Sequence, residues 1–62
     1  MCYSVDAFLD DQVLNALKTN SLPEAYKKFA ELIDLVEQGK LDTVAIFDDE
    51  IELIAQVNSY DF

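Results

Sequence analysis

The side chains with chemical potential in this 62-residue chain are one cysteine and thirteen carboxylates. The chain has no histidine, which excludes a Ser-His or Cys-His nucleophile pair and a zinc site of the Cys/His type. Cys2 has no cationic residue near it in sequence to activate its thiol. With a single glycine there is no glycine-rich phosphate loop. We therefore expect no enzyme activity, no catalytic residues and no bound cofactor.

One acidic stretch has the spacing of a metal loop. Asp48, Glu50 and Glu52 alternate as the first ligands of a calcium-binding loop do. Leu53 stands where such a loop needs its glycine, and Ser59 stands where it needs its bidentate glutamate. The sequence therefore predicts no metal site here.

The charge balance is the strongest global feature. Thirteen acids against four lysines give a formal net charge of −9, with no arginine. Direct binding to nucleic acid or to an anionic membrane is disfavoured, and a protein partner with a basic surface is favoured. Duplex DNA carries one negative charge per roughly 1.7 Å of its axis, and a small fold with many ordered carboxylates presents a comparable field. The predicted function is a small acidic binding or inhibitor protein, encoded by a phage or mobile element, that mimics DNA electrostatically and occludes a basic, nucleic-acid-binding surface of its partner.

Two groups of residues are candidates for the partner contact. The acids expected to face a basic partner are Asp10, Asp11, Glu31, Asp34, Asp48, Asp49, Glu50 and Glu52. In the alternative hypothesis the acids are only a solvated surface. The protein is then an antitoxin, an immunity protein or a regulatory subunit that binds its partner mainly through apolar residues. The candidates for that apolar contact, or for a contact between two copies, are Leu14, Leu35, Phe47 and Ile54.

The element expected to position these side chains is a helix between Ser21 and Gly39. Ser21 and Glu24 have capping-box spacing, Pro23 fits the first turn, and Gly39 suits the left-handed position after the last turn. Apolar residues between them recur at steps of three and four, which predicts one amphipathic stripe. These residues are Leu22, Ala25, Tyr26, Phe29, Leu32, Ile33 and Val36.

A first helix is predicted from about Val5 to Thr19, with Ser4 as its N-cap and Asn20 as a left-handed stop. Its inner face contains Val5, Phe8, Leu9, Val13, Ala16 and Leu17. Two amphipathic helices with almost no linker predict an αα-hairpin.

The period changes after Gly39. Residues 43–47 are β-branched and aromatic, and residues 51–58 alternate between apolar and polar, so both stretches favour strands of a hairpin. Two registers bury apolar pairs. A two-residue turn pairs Ile46 with Ile51 and Val44 with Leu53; a three-residue loop pairs Phe47 with Ile51 and Ala45 with Leu53.

The predicted fold class is α+β, with an N-terminal αα-hairpin followed by a β-hairpin in a single domain spanning residues 1–62. In the alternative, Asp48 caps a third helix and the chain is an all-α three-helix bundle.

Size and apolar content predict assembly. A chain of this length is marginally stable alone, and one cysteine cannot form an internal disulfide. We expect a homodimer, in which the strand ending at Val57 offers an open edge. The first residues, MCYSVD, lack the features of a signal peptide, and no apolar run approaches the roughly 20 residues that span a bilayer. We therefore expect a cytoplasmic protein that does not bind membranes.

Overall fold

In the computed structural model, which describes residues 2–61, the elements follow the order β-β-α-β-β. Strands β1 (Tyr3–Leu9) and β2 (Gln12–Thr19) precede helix α1 (Leu22–Glu37), and strands β3 (Thr43–Phe47) and β4 (Leu53–Asn58) follow it. A 3-10 turn at Ser59–Asp61 comes last. The strands form one antiparallel sheet in the order β2-β1-β3-β4, so β2 and β4 are its edges.

The predicted α+β class is confirmed, but the predicted αα-hairpin is wrong, and so is the all-α alternative. Residues 3–19 form a β-hairpin in which Asp10 and Asp11 make the turn. Asp10 adopts a left-handed φ of 54°, which aspartate tolerates better than most residues. Val5 and Ala7 are buried while Ser4 and Asp6 are only half-buried, which is the period of a strand.

The hydrophobic core lies between α1 and one face of the sheet. Central strand β1 places Val5 opposite Ile46 and Ala7 opposite Val44 on β3. The buried cluster consists of Val5, Ala7, Ala25, Phe29, Val36, Leu41, Val44 and Ile46. Ala7, which is absent from the inner face predicted for a first helix, therefore belongs to the core.

The predicted helix between Ser21 and Gly39 is confirmed, including its start. Ser21 is the N-cap, and its Oγ accepts a hydrogen bond from the Glu24 backbone N–H at 3.4 Å. In a complete capping box the Glu24 carboxylate would accept a hydrogen bond from the Ser21 backbone N–H, but here the Thr19 hydroxyl takes that place. This hydroxyl donates to the Glu24 carboxylate at 3.0 Å and accepts from the Ser21 backbone N–H at 3.1 Å. Thus the last residue of β2 and the first turn of α1 share one hydrogen-bond network.

The helix ends at a Schellman motif. Gly39 has a φ of 79° and its N–H donates to the Val36 carbonyl at 3.0 Å, while the Lys40 N–H donates to the Leu35 carbonyl at 2.9 Å. Asn20, the predicted left-handed stop of a first helix, is not among the residues with positive φ.

The predicted β-hairpin after Gly39 is confirmed, but both predicted registers are wrong. Phe47 pairs with Leu53, so the loop spans Asp48 to Glu52, and a bulge at Ile54 brings Ala55 opposite Ile46. The wider loop forms because the Asp48 carboxylate accepts hydrogen bonds from the backbone N–H groups of Glu50 and Glu52, at 2.9 and 3.0 Å. Asp48 therefore organises a loop rather than the predicted third helix.

Within residues 2–61, the model contains no helix that is both long and apolar enough to cross a lipid bilayer.

Loss of the helix cap should destabilise the fold measurably. We expect Ser21→Ala to lower the free energy of unfolding by about 1 kcal/mol, because the Glu24 N–H loses its acceptor. For a domain of this size that corresponds to a fall in Tm of roughly 4–8 °C, measured by circular dichroism. Ser59→Ala, at an exposed serine after β4, is the control and should change Tm little. Equal losses in both variants would contradict the cap assignment.

Candidate functional site

Within residues 2–61, no helix or strand covers the sheet face opposite α1, which carries a mixture of aromatic, aliphatic and polar side chains. The strand registers place on it one residue in two from each strand, apart from the bulges. These residues are Ser4, Asp6 and Phe8 on β1, Val13, Asn15 and Lys18 on β2, Thr43, Ala45 and Phe47 on β3, and Leu53, Gln56 and Asn58 on β4. We call this surface the open face.

A groove of about 580 Å³ lies on the open face, along β1 and beside the start of the β3–β4 loop. Three strands contribute side chains to its lining. Strand β1 contributes Ser4, Asp6 and Phe8, and edge strand β2 contributes Val13, Asn15 and Lys18. Strand β3 and the loop after it contribute Phe47, Asp48, Asp49 and Ile51. Because β1 lies between β2 and β3, its side chains form the middle of the groove. Two phenylalanine rings and a half-buried, hydrogen-bonded polar pair, Ser4 and Asp6, therefore share one concave surface.

Asp6 is the carboxylate at the centre of this groove. It is half-buried, and its Oδ1 accepts a hydrogen bond from the Ser4 hydroxyl at 3.0 Å. Its cross-strand neighbours are Asn15 and Ala45, neither of which carries a charge. The one ion pair within 4.0 Å in the described part of the chain joins Lys28 to Glu31 on α1, so Lys18 does not pair with Asp6. The Asp6 carboxylate thus retains its capacity to accept bonds from a cation.

Ile51 stands at the rim of the groove in a costly conformation. Its φ is 59°, in the left-handed region that disfavours β-branched residues, and its side chain is 82% exposed. The bonds to the Asp48 carboxylate on either side of Ile51 hold the loop in this shape. The loop therefore presents an aliphatic side chain to solvent although both its backbone and its exposure are unfavourable.

The structure distributes the predicted acidic residues over three regions. Asp10 and Asp11 form the β1–β2 turn and do not line the groove, and Glu31 and Asp34 lie exposed on α1. Of the predicted acids, only Asp48 and Asp49 line the groove, and Glu50 and Glu52 lie in the same β3–β4 loop.

The predicted apolar contact residues also separate. Leu14 is 48% exposed on edge strand β2, and Phe47 lines the groove. Leu35 and Ile54 are half-buried and pack against the core.

Sequence reasoning missed the residues at the centre of the groove. Phe8 and Val13 were assigned to the inner face of a helix, and neither Asp6 nor Ile51 was selected as a site residue. The signal that was present is the strict alternation from Ser4 to Ala7, which places Asp6 on the face opposite the core.

The chemistry that this arrangement offers is apolar contact combined with negative charge. Within residues 2–61, no group of three or more cysteine, aspartate and glutamate side chains is placed to hold a metal ion. Comparisons with protein-family models, with curated proteins and with solved structures found no significant match. We therefore infer function from the residues of this chain and their arrangement.

Relief of the backbone strain at Ile51 should stabilise the protein. We expect Ile51→Asn to raise the free energy of unfolding by about 1 kcal/mol, because asparagine tolerates the left-handed region and the isoleucine side chain buries little surface. Urea denaturation followed by circular dichroism measures the change. Tyr60→Asn is the matched control, because Tyr60 is also 82% exposed but has an ordinary φ. A gain no larger than in the control would contradict the assignment of strain.

Proposed function

We propose that this chain is a small acidic binding protein that inhibits its partner by occluding a basic, nucleic-acid-binding surface. The observation that carries the proposal is the groove on the open face, where apolar side chains adjoin the acids of the β3–β4 loop. A protein surface that binds nucleic acid combines basic side chains with apolar and aromatic contacts, and the groove is complementary to both. We place this activity in the cytoplasm, where the Cys2 thiol would stay reduced.

Charge is distributed so as to attract such a partner. Asp49, Glu50 and Glu52 are exposed, and no lysine lies in the loop that carries them. Of the four lysines, only Lys18 lines the groove. At physiological ionic strength the screening length is about 8 Å, so the loop and groove act on a nearby cation as one negative surface. Association with a basic partner should therefore be fast and sensitive to salt.

Residues 48–52 carry four carboxylates, and in the proposed mechanism this concentration of negative charge takes the place of DNA phosphates on the partner. A partner that binds these carboxylates through lysine and arginine would lose the ability to bind DNA at the same surface. We also propose that the protein is encoded by a phage or mobile element.

The second candidate function is that of an antitoxin, an immunity protein or a regulatory subunit that binds mainly through apolar contact. It is favoured by the exposure of Val13, Leu14 and Ile51, at 57%, 48% and 82%. The two candidates differ in whether binding depends on the acids of the loop.

Charge reversal of the loop separates them. We expect the triple variant Asp49→Lys, Glu50→Lys and Glu52→Lys to lose capture of basic nucleic-acid-binding proteins from a cell lysate, because the attraction at the groove becomes repulsion. Asp48 is left intact because its carboxylate holds the loop together. Captured proteins should be released by high salt and by added duplex DNA.

The control variant also reverses three charges, at positions outside the loop and the groove. Asp11→Lys, Asp34→Lys and Glu37→Lys alter exposed acids outside the groove and should leave specific capture in place. Capture that survives the loop reversal, high salt and duplex DNA would contradict the charge-driven function and support the apolar alternative.

We also propose a homodimer formed through an open sheet edge. Edge strand β2 exposes Val13 and Leu14, and edge strand β4 exposes Leu53. The negative charge of the two copies opposes pairing, so salt should favour the dimer.

Sedimentation velocity at low and high salt tests this assembly. We expect the dimer fraction to increase with salt and to fall in Leu14→Glu if β2 forms the interface, or in Leu53→Glu if β4 does. A folded monomer at high protein concentration and high salt would contradict the dimer.

A further inference from the structure

The groove contains the parts needed to bind one kind of side chain. We infer that it accepts an arginine from an extended segment of the partner protein, with the guanidinium on the Asp6 carboxylate and its flat face against a phenylalanine ring. This inference rests on the proposed function and names the chemistry of the contact.

The carboxylate supplies the first argument. Asp6 is half-buried at the centre of the groove, and Ser4 donates one hydrogen bond to its Oδ1 at 3.0 Å. An ionised carboxylate has about four acceptor positions, so most of its capacity is free for a donor. A half-buried charge is screened less by salt than the exposed acids of the loop are. Asp6 is therefore the acid from which a cation would gain most.

The aromatic rings supply the second argument. Phe8 lies two residues after Asp6 on the same face of β1, and Phe47 lies opposite Ser4 on β3, so the two rings lie near Asp6 on the open face. A guanidinium stacks on aromatic rings and binds a carboxylate with two parallel bonds, whereas the ammonium of lysine is a compact and strongly hydrated charge. The combination of rings and carboxylate therefore favours arginine over lysine.

The residues at the rim of the groove determine which side chains can flank the arginine in the partner segment. Val13 and Ile51 are 57% and 82% exposed on opposite sides of the groove, and both offer aliphatic contact. Asp49, which is exposed and also lines the groove, adds negative charge. These features suit an extended segment in which aliphatic residues flank the arginine. A second copy of this chain is a poor occupant, because the chain contains no arginine and each copy carries a net charge of −9.

Lys18 modulates the site. It is exposed on the β2 side of the groove, where its ammonium repels an incoming guanidinium. Lys18→Met keeps an apolar stem of similar length and removes that charge. This variant should therefore bind the arginine more tightly than the wild type.

The experiment uses a capped Leu-Arg-Leu peptide as the probe, titrated into the full ¹⁵N-labelled chain and followed by two-dimensional NMR. Two matched peptides carry citrulline, which has the shape of arginine without its charge, or lysine. We expect the arginine peptide to shift the amide signals of β1, of the end of β3 and of the β3–β4 loop. The lysine peptide should bind more weakly and the citrulline peptide more weakly still.

Single substitutions identify the contacts. Asp6→Asn keeps the size of the side chain and its acceptor for Ser4, and should weaken binding of the arginine peptide by about tenfold or more. Asp34→Asn removes the same charge from the exposed surface of α1 and should change affinity less than about twofold. Phe8→Leu keeps an apolar side chain without the ring and should reduce the preference for arginine over lysine. The dispersion of the amide signals verifies that each variant is folded.

Three results would overturn the inference: absence of binding at millimolar peptide, equal binding of the citrulline peptide, or equal losses in Asp6→Asn and Asp34→Asn. Peptide shifts confined to the β3–β4 loop would also overturn it and would leave the proposed charge-driven function standing. Conversely, arginine binding in the groove together with lysate capture that survives the loop reversal would support this site and contradict the proposed function.

Discussion

A single helix can cover only one face of a four-stranded sheet, and the rest of this structure depends on that constraint. Val5, Ala7, Val44 and Ile46 pack against α1 and form the core. No second helix is present in residues 2–61 to cover the other face, so Phe8 and Phe47 lie on a surface shared with Ser4 and Asp6. An uncovered sheet face with two phenylalanines is either a contact surface or an aggregation hazard. The surrounding carboxylates favour a contact surface.

The charge of the molecule is distributed as folding energetics require. Burial of an unpaired charge is expensive, so most acids lie in turns, in loops or on the outer surface of α1. Overall acidity is therefore weak evidence for any particular site. The informative exceptions are residues whose placement is unfavourable: Asp6, half-buried within the sheet, and Ile51, strained and exposed in a loop.

Sequence reasoning identified α1 because its signals are local. The cap at Ser21, the stop at Gly39 and the stripe between them depend on residues a few positions apart. The β3–β4 hairpin was identified for the same reason. Its register was not, because the hydrogen bonds of Asp48 and the bulge at Ile54 select a loop that the apolar pattern does not specify.

The first two strands were missed because their apolar residues fit both the 3.6-residue period of a helix and the two-residue period of a strand. Val5, Phe8 and Leu9 fit the spacing of a helix, while Val5, Ala7 and Leu9 fit that of a strand, and only the pairing of β1 with β3 decides between them. That pairing joins residues from opposite ends of the chain, which no short window contains. The centre of the candidate site was lost with it, because Asp6 and Phe8 belong to β1.

The central position of β1 has a consequence for how the chain folds. Each hairpin, β1–β2 and β3–β4, closes over a few residues, but the sheet is complete only when Ser4 meets Phe47 across the whole middle of the chain. The entropy of closing that long loop opposes the step, and α1 reduces the cost by replacing much of the flexible segment with a rigid element. The caps at both of its ends stabilise that element. We therefore expect docking of two preformed hairpins around α1 to limit the folding rate, and a nascent chain to remain without a core until β3 has been synthesised.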